Sequence, residues 1–127
     1  MSGAGASSDA ALRARARRVL PDGVWGHMST RLLPAAYPQF YRSGHGARVV
    51  DADGRSYLDF QCAYGPNLLG YGHPAVEEAA ARQARDGDTL SGPAPVLVEL
   101  AEDLVGRIGH AAWALFCKNG GDATTTC

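Results

Sequence analysis

The residues best suited to chemistry lie near the end of the sequence, where Asn119, Gly120 and Gly121 separate two predicted elements. The apolar run 114–117 predicts a buried strand, and residues 122–124 predict the first turn of a helix. Glycines between a strand and a helix leave backbone N–H groups at the positive end of the helix dipole, where a phosphate binds well. A tight turn that binds nothing is the alternative interpretation, because short glycine motifs are common.

A second group of side chains able to contact a ligand lies in the segment 24–39. This segment has two prolines and no clear hydrophobic period, so it is predicted to be an ordered loop. Packing is the commoner role of a lone tryptophan or histidine in a loop, and both roles stay open for these residues. The side chains concerned are Trp25, His27, Ser29 and Arg31.

Metal chemistry is not indicated by the sequence. Cys62, Cys117 and Cys127 are odd in number and lack metal-ligand spacing, which favours reduced cysteines in a cytoplasmic setting. Asp51 and Asp53 resemble the start of a calcium loop, but the later ligands and the closing glutamate are missing. The Asp-Gly dipeptide that follows predicts a turn instead.

The composition is that of a globular protein of one modest domain, with 127 residues, 46% hydrophobic residues and a formal net charge of -1. We expect neither nucleic acid nor membrane as a partner, because the charge is nearly balanced and no apolar run approaches the ~18 residues of a membrane span. A basic N-terminal segment is compatible with a transit peptide or a nucleic-acid arm. Its arginines alternate with alanine and leucine, however, and this pattern favours a solvated helix face. Its arginines are Arg13, Arg15, Arg17 and Arg18.

The elements that must position these residues begin with a helix. It is predicted from Asp9, as N-cap, to about Leu20. Three short runs rich in β-forming residues follow, separated by turns. They predict a three-stranded antiparallel meander, with strands at 40–42, 47–50 and 56–60 and turns at 43–46 and 51–54.

Two helices are predicted after the meander. Residues 64–74 are rich in glycine and aromatic side chains and are predicted to form a loop whose backbone approaches another group closely. Pro74 suits the first position of a helix, which is expected to reach Asp86 and to end at Gly87. Residues 96–108 repeat apolar side chains at helical spacing and predict a second, amphipathic helix.

Taken in this order, the features resemble the N-terminal part of the class III pyridoxal-phosphate aminotransferases. Within that family they are most similar to glutamate-1-semialdehyde aminomutase and its aminotransferase relatives. Four stretches carry the resemblance, and their order and spacing match over nearly the whole chain, from about residue 12 onward. They are 21–24, 46–54 together with 57–60, 65–76 and 116–124.

The resemblance implies an α/β fold, namely the N-terminal part of an aspartate-aminotransferase-like transferase that depends on pyridoxal 5'-phosphate (PLP). Residues 1–88 would form the N-terminal helix, loop and meander with a linking helix, and residues 89–127 an incomplete start of the large PLP-binding domain. Family members have several hundred residues, so we expect this chain to be about their first quarter to third. The complete protein is expected to be a cytoplasmic homodimer that acts on a small-molecule amino donor and a carbonyl acceptor.

The resemblance implies, position by position, that the phosphate of PLP is held by Asn119, Gly120 and Gly121. Gly121 replaces a residue that is often threonine or serine in the family, which removes a hydroxyl but keeps the backbone amide. Tyr64 matches an aromatic residue near the substrate. Ser29 and Arg31 lie in the region that reaches the substrate carboxylate in the aminomutases, although the local spacing departs from theirs.

The family's reaction needs a lysine that binds the cofactor covalently and an acid beside the pyridine nitrogen. Lys118 is the only lysine of the chain, and it stands just before the phosphate turn, on the wrong side of the cofactor in the matched pattern. We therefore expect the chain alone to be inactive, as part of an aminotransferase or aminomutase. The alternative hypothesis is a short, non-catalytic module for binding or dimer contact.

Overall fold

The computed structural model describes residues 7–24, 30–34 and 36–127. The chain separates into two compact units, Met1–Ala81 and Arg82–Cys127. The assignment of residues 1–88 and 89–127 to two domains stays a prediction. Within the described ranges, no helix combines the length and the apolar character that crossing a membrane requires.

The first unit begins with helix α1, Ser8–Ala16. Its N-cap is Ser7, whose hydroxyl accepts a backbone N–H of the first turn. The prediction of Asp9 as the N-cap was wrong, because the Asp9 carboxylate has another role. Asp9 is buried, and its Oδ1 accepts the backbone N–H groups of Gln39 at 3.1 Å and Phe40 at 2.9 Å.

The helix also ends earlier than predicted, at Ala16 rather than near Leu20. Leu20 is extended, with φ -126° and ψ 134°. The residue before a proline avoids the helical conformation, so Pro21 accounts for the extended backbone of Leu20. The intervening residues form turns.

The three-stranded antiparallel meander predicted from the sequence is present. Strands β1, Tyr41–His45, β2, Arg48–Asp51, and β3, Ser56–Leu58, lie in the order β1-β2-β3. Val49 of the central strand pairs with Gly44 on one side. The Asp-Gly dipeptide lies in the turn between β2 and β3, as predicted.

The first strand continues through Gly44 and His45, which were predicted to form a turn. Gly44 tolerates no side chain here, because a Cβ would lie 2.7 Å from Cγ of the Tyr71 ring. It therefore serves close packing, and the chain turns at Gly46 instead, where φ is 54°.

A buried carboxylate builds the turn between β2 and β3. Asp51 is 1% exposed, and its Oδ1 accepts the backbone N–H groups of Asp53 at 3.0 Å and Arg55 at 2.8 Å. Its Oδ2 accepts the hydroxyl of Tyr57 at 2.8 Å. Burial alone would raise the pKa of Asp51, but these hydrogen bonds outweigh it and hold the pKa below its ordinary value. The ionised carboxylate is thus part of the framework.

Three further helices follow the meander along the chain. Helix α2, Pro74–Asp86, has the predicted bounds and is followed by Gly87 at φ 121°. Helix α3, Pro95–Arg107, confirms the amphipathic helix expected over 96–108. Helix α4, Gly120–Thr126, begins directly after Asn119.

Residues 114–117 were predicted to form a buried strand, and that prediction was wrong for this chain. They form neither a helix nor a strand and pair with no strand of the described residues, and Leu115 is 60% exposed. A strand needs a neighbour to accept its backbone hydrogen bonds. The sheet described here is the meander, and it does not include them.

Candidate functional site

The predicted phosphate turn begins a helix, and its cap is a side chain. Asn119 has an extended backbone, with φ -145° and ψ 168°, and its Oδ1 accepts the N–H of Asp122 at 3.1 Å. Gly120 and Gly121 are the first two residues of α4. Their N–H groups have no acceptor within the helix, as in the first turn of any helix. We call Asn119, Gly120 and Gly121 the glycine turn.

The glycine turn has room for a ligand on its glycine side. A Cβ at Gly120 would meet no atom within 4 Å, and one at Gly121 would lie 3.4 Å from Asn119 Oδ1. The hydroxyls of Thr124 and Thr125 donate to the carbonyl oxygen of Gly121 at 3.1 and 2.8 Å. These bonds involve the carbonyl oxygen of Gly121 and not its N–H.

Tyr64 lies in a left-handed turn, which the sequence does not predict. Cys62, Ala63 and Tyr64 have φ of 48°, 50° and 63°. The local hydrogen bonds run from Tyr64 N–H to Gln61 O and from Gly65 N–H to Cys62 O, both at 2.9 Å. Such residues carry a strain of roughly 1–3 kcal/mol each, and strain of this kind is concentrated at functional sites. The Tyr64 side chain is 65% exposed.

The Asp59 carboxylate holds both ends of the loop that carries this turn, residues 61–71, which we call the aromatic loop. Its Oδ1 accepts the backbone N–H groups of Gln61 at 2.8 Å and Cys62 at 3.3 Å, and its Oδ2 accepts the hydroxyl of Tyr71 at 2.7 Å. The Tyr71 bond is the main cause of a lowered pKa of Asp59, and it raises the pKa of Tyr71. Sequence reasoning missed both residues.

The far end of the aromatic loop is fixed to the meander. The backbone N–H and C=O of Tyr71 pair with those of Gly46, with both N···O distances at 2.9 Å. The ring of Tyr71 occupies the space beside Gly44. Gly70, with φ 82°, has no room for a Cβ, which would lie 2.8 Å from the carbonyl oxygen of Gly46. The glycines of this region thus permit close backbone approach, as expected for residues 64–74.

The remaining predicted site residues are only partly described. Trp25, His27 and Ser29 lie outside the described residues. Arg31 lies in a short 3-10 turn, and its side chain is outside the description. Tyr64 belongs to the first unit and the glycine turn to the second. The roles assigned to all of these residues stay predictions.

Comparison with known sequences gives a consistent family. Residues 33–127 match the family described as Aminotransferase class-III. The aminopentol aminotransferase of Sphingopyxis macrogoltabida is 57% identical over 115 residues, which are 91% of this chain and 27% of that protein. The glutamate-1-semialdehyde 2,1-aminomutase of Polaromonas naphthalenivorans is 35% identical over 118 residues, which are 93% of this chain and 27% of that protein. Of these two relatives, the aminotransferase has the higher identity to this chain, although the resemblance in the sequence was described first to the aminomutase.

Solved structures agree with the sequence matches. The PLP internal aldimine form of the FumI protein of Sphingopyxis sp. MTA144 aligns with a TM-score of 0.89 and 55% identity, over 94% of this chain and 29% of that chain. An omega-transaminase from Sphaerobacter thermophilus aligns with a TM-score of 0.84 and 36% identity, over 97% of this chain and 27% of that chain.

These matches confirm the predicted fold class and cofactor type. The chain spans about 27% of the length of the curated relatives that it matches. The glycine turn lies inside the matched range, residues 33–127. This chain belongs to the class III aminotransferase family.

Proposed function

We propose that this chain is the N-terminal part of a PLP-dependent aminotransferase that moves an amino group from a small-molecule amine to a carbonyl acceptor. The observation that supports this most directly is the glycine turn, a capped helix start with two glycine N–H groups and open space beside them. Bound PLP supplies an electron sink for the bonds at the amino-bearing carbon.

Within this proposal, Gly120 and Gly121 donate their backbone N–H groups to the phosphate of PLP. The positive end of the α4 dipole favours the same anion. Oδ1 of Asn119 accepts the N–H of Asp122 in the helix cap. The group that this side chain offers to the phosphate is therefore its NH₂, which is a donor. The absence of a Cβ at Gly120 keeps the approach to these amides open.

We assign substrate contacts to Tyr64, Ser29 and Arg31. The exposed aromatic ring of Tyr64 suits the hydrocarbon part of an amine, and Arg31 suits a carboxylate. Identity of 57% to an aminopentol aminotransferase favours aminopentol as the donor over glutamate 1-semialdehyde. An aminomutase activity is the second candidate, supported by 35% identity to glutamate-1-semialdehyde 2,1-aminomutase.

We assign no catalytic role to Lys118, the only lysine of residues 1–127. It directly precedes the glycine turn, so the residue that binds the cofactor covalently is expected downstream of Cys127. Residues 1–127 on their own are therefore proposed to be inactive. A non-catalytic module for binding or dimer contact remains the alternative for a product that ends here.

We further propose that the full-length protein is a cytoplasmic homodimer without nucleic-acid or membrane partners. The resemblance to the family, the free cysteines and the nearly balanced charge support this. Light scattering of the purified full-length protein measures the assembly directly. A mass of one subunit over the working concentration range would contradict the homodimer.

The test of the proposed function begins with the DNA downstream of the Cys127 codon. An open frame that encodes a further lysine-bearing domain is expected. The purified full-length product should take up PLP and transfer the amino group of aminopentol to a 2-oxo acid, which yields the carbonyl form of the donor and an amino acid. A stop codon directly after Cys127 would instead favour the non-catalytic module, and a full-length product without transamination would refute the proposed activity.

A further inference from the structure

One carboxylate closes the loop that carries Tyr64. Oδ1 of Asp59 accepts the N–H groups of Gln61 and Cys62 at the first end, and Oδ2 accepts the Tyr71 hydroxyl at the other end. We propose that Asp59 and Tyr71 are positioning residues that hold the aromatic loop in the conformation that presents Tyr64 to the substrate. This inference rests on the proposed function of Tyr64, and neither positioning residue touches the substrate.

The left-handed turn at residues 62–64 needs a hydrogen bond from outside the turn to stabilise it. L-residues disfavour positive φ, and Cys62, Ala63 and Tyr64 adopt it in succession. The hydrogen bond from Tyr64 N–H to Gln61 O is also compatible with the unstrained, right-handed turn. The contact from Cys62 N–H to Asp59 Oδ1, at 3.3 Å, fixes the orientation of the peptide at which the strained turn begins.

Tyr71 is a rigid attachment point for this support. Its backbone is paired with Gly46, and its ring is packed against Gly44. The 2.7 Å bond to Asp59 therefore ties the start of the aromatic loop to the sheet. The pKa of Asp59 lies below its ordinary value and that of Tyr71 above it, so at neutral pH the pair is an ionised acceptor with a protonated donor. Hydrogen bonds to a charged acceptor are the stronger kind.

The meander supplies a matched control pair. The Tyr57 hydroxyl donates to Oδ2 of Asp51 at 2.8 Å, but Asp51 supports the turn between β2 and β3 and not the aromatic loop. Tyr71→Phe and Tyr57→Phe therefore remove the same kind of hydrogen bond from the same unit. Asp59→Asn is a second variant, which weakens the same hydrogen bond by removing the charge of the acceptor while Tyr71 is unchanged.

The experiment uses the full-length protein, with aminopentol as the donor and a 2-oxo acid as the acceptor. Tyr71→Phe should raise KM for the donor about three- to tenfold, which is less than the full worth of a charge-assisted hydrogen bond because Tyr71 acts only through the loop, and change kcat less than about twofold. Asp59→Asn should act in the same direction. Tyr57→Phe should leave KM and kcat as in the wild type. Equal KM values for Tyr71→Phe and Tyr57→Phe would overturn the inference.

Hydrogen exchange distinguishes failure of this inference from failure of the proposed function. The amides of Cys62 and Tyr64 should exchange faster in Tyr71→Phe than in Tyr57→Phe, whether or not the protein transaminates. If the wild type is inactive, the proposed function fails, and exchange alone decides whether Asp59 and Tyr71 hold the aromatic loop. Equal exchange in the two variants would refute this positioning role, even in an active enzyme.

Discussion

At the scale of single residues, Asn119 combines two roles at the start of α4. Its side chain caps the helix through the N–H of Asp122, and its extended backbone places Gly120 at the first helical position. Asparagine is a preferred N-cap, so this role of Asn119 was predictable from the sequence, although Asn119 was assigned only to the turn. The helix consequently begins at the first glycine and not at residue 122.

We expect Gly120→Pro to weaken PLP binding by the full-length protein. Proline has no N–H, yet it suits the first position of a helix, and the extended Asn119 is compatible with a following proline. The loss of one charge-assisted hydrogen bond corresponds to roughly 1.5–3 kcal/mol, or about one to two orders of magnitude in affinity. Dissociation of PLP from the wild type and the variant measures the effect.

Gly121→Ser is the control for this change. A Cβ at Gly121 would be in ordinary contact, 3.4 Å from Asn119 Oδ1, and serine keeps the backbone N–H. Its PLP affinity should therefore equal that of the wild type. If Gly120→Pro also retained the wild-type affinity, the phosphate would have to bind elsewhere.

The Asp51–Tyr57 pair predicts how the stability of the meander depends on pH. The pKa of Asp51 is lowered, so its contribution is present above the unfolded pKa of about 4 and is lost as the pH falls through the folded pKa. The pKa of Tyr57 is raised, mainly by the hydrogen bond to Asp51, so its contribution is lost as the pH rises above about 10.

Thermal unfolding of the full-length protein between pH 2 and 11 tests both limbs of this prediction. The midpoint temperature of the wild type should fall at each extreme. Tyr57→Phe should have a lower midpoint than the wild type at neutral pH, because it loses the hydrogen bond to Asp51, and a weaker dependence on pH above about 10. If the midpoint temperature of Tyr57→Phe fell above pH 10 as steeply as that of the wild type, the attribution of this fall to Tyr57 would be wrong.

At the scale of elements, α1 is joined to the meander by two carboxylates. Asp53, in the turn after β2, accepts the hydroxyl of Ser7 at 2.6 Å and the N–H of Asp9 at 3.1 Å. Asp9 in turn accepts the N–H groups of Gln39 and Phe40. Carboxylates beside the N-terminus of a helix also complement its dipole. The helix is therefore attached through its first turn.

Ser7→Ala should loosen α1, because it removes the N-cap and the hydroxyl that Asp53 accepts. Loss of a serine cap typically costs about 0.5–2 kcal/mol. Hydrogen exchange of the amides in Ser8–Ala16 should become faster, while the amides of the meander keep their protection. Ser8→Ala, at the exposed neighbouring position, is the control. Equal exchange in both variants would show that Ser7 does not hold the helix.

Elements with strong local signals were predictable from the sequence. Pro74 and Gly87 mark the start and the stop of α2, and the Asp-Gly dipeptide marks the turn before β3, since each residue fits only a few backbone conformations. The apolar run 114–117 gave a misleading signal. Its composition favours a strand, but a strand forms only where a partner is available.

The candidate site was predictable only in part, for a similar reason. The glycine turn has a local signature, and its prediction as a turn directly before a helix is confirmed, although the strand predicted on its other side does not form in the described residues. The left-handed turn at Tyr64 opposes the preferences of its own residues. It depends on Asp59 and Tyr71, and a contact between residues twelve positions apart leaves no local pattern.

At the scale of the whole molecule, much apolar surface is exposed on residues 1–127. The second unit exposes Leu97, Leu100 and Trp113, and the first exposes Phe60. Large exposed apolar patches and unpaired extended segments promote association. The matched residues are only 27% of the length of the relative, and we propose that the remainder of the protein packs on this surface.

Residues 1–127 expressed alone should therefore be marginally stable and prone to associate. We expect oligomers or aggregates in analytical ultracentrifugation at micromolar concentration and a broad thermal transition. The full-length protein under the same conditions is the comparison and should melt cooperatively. A monomeric short chain with a sharp, cooperative melt would contradict this expectation.

The packing of Gly44 against the Tyr71 ring also has an evolutionary consequence. Since a Cβ at residue 44 would lie 2.7 Å from the ring, neither position can change freely while the other is kept. In an alignment of class III aminotransferases, homologues with a larger residue at position 44 should lack an aromatic ring at position 71. The two positions are expected to covary, and through the hydroxyl of Tyr71 the covariation should extend to position 59.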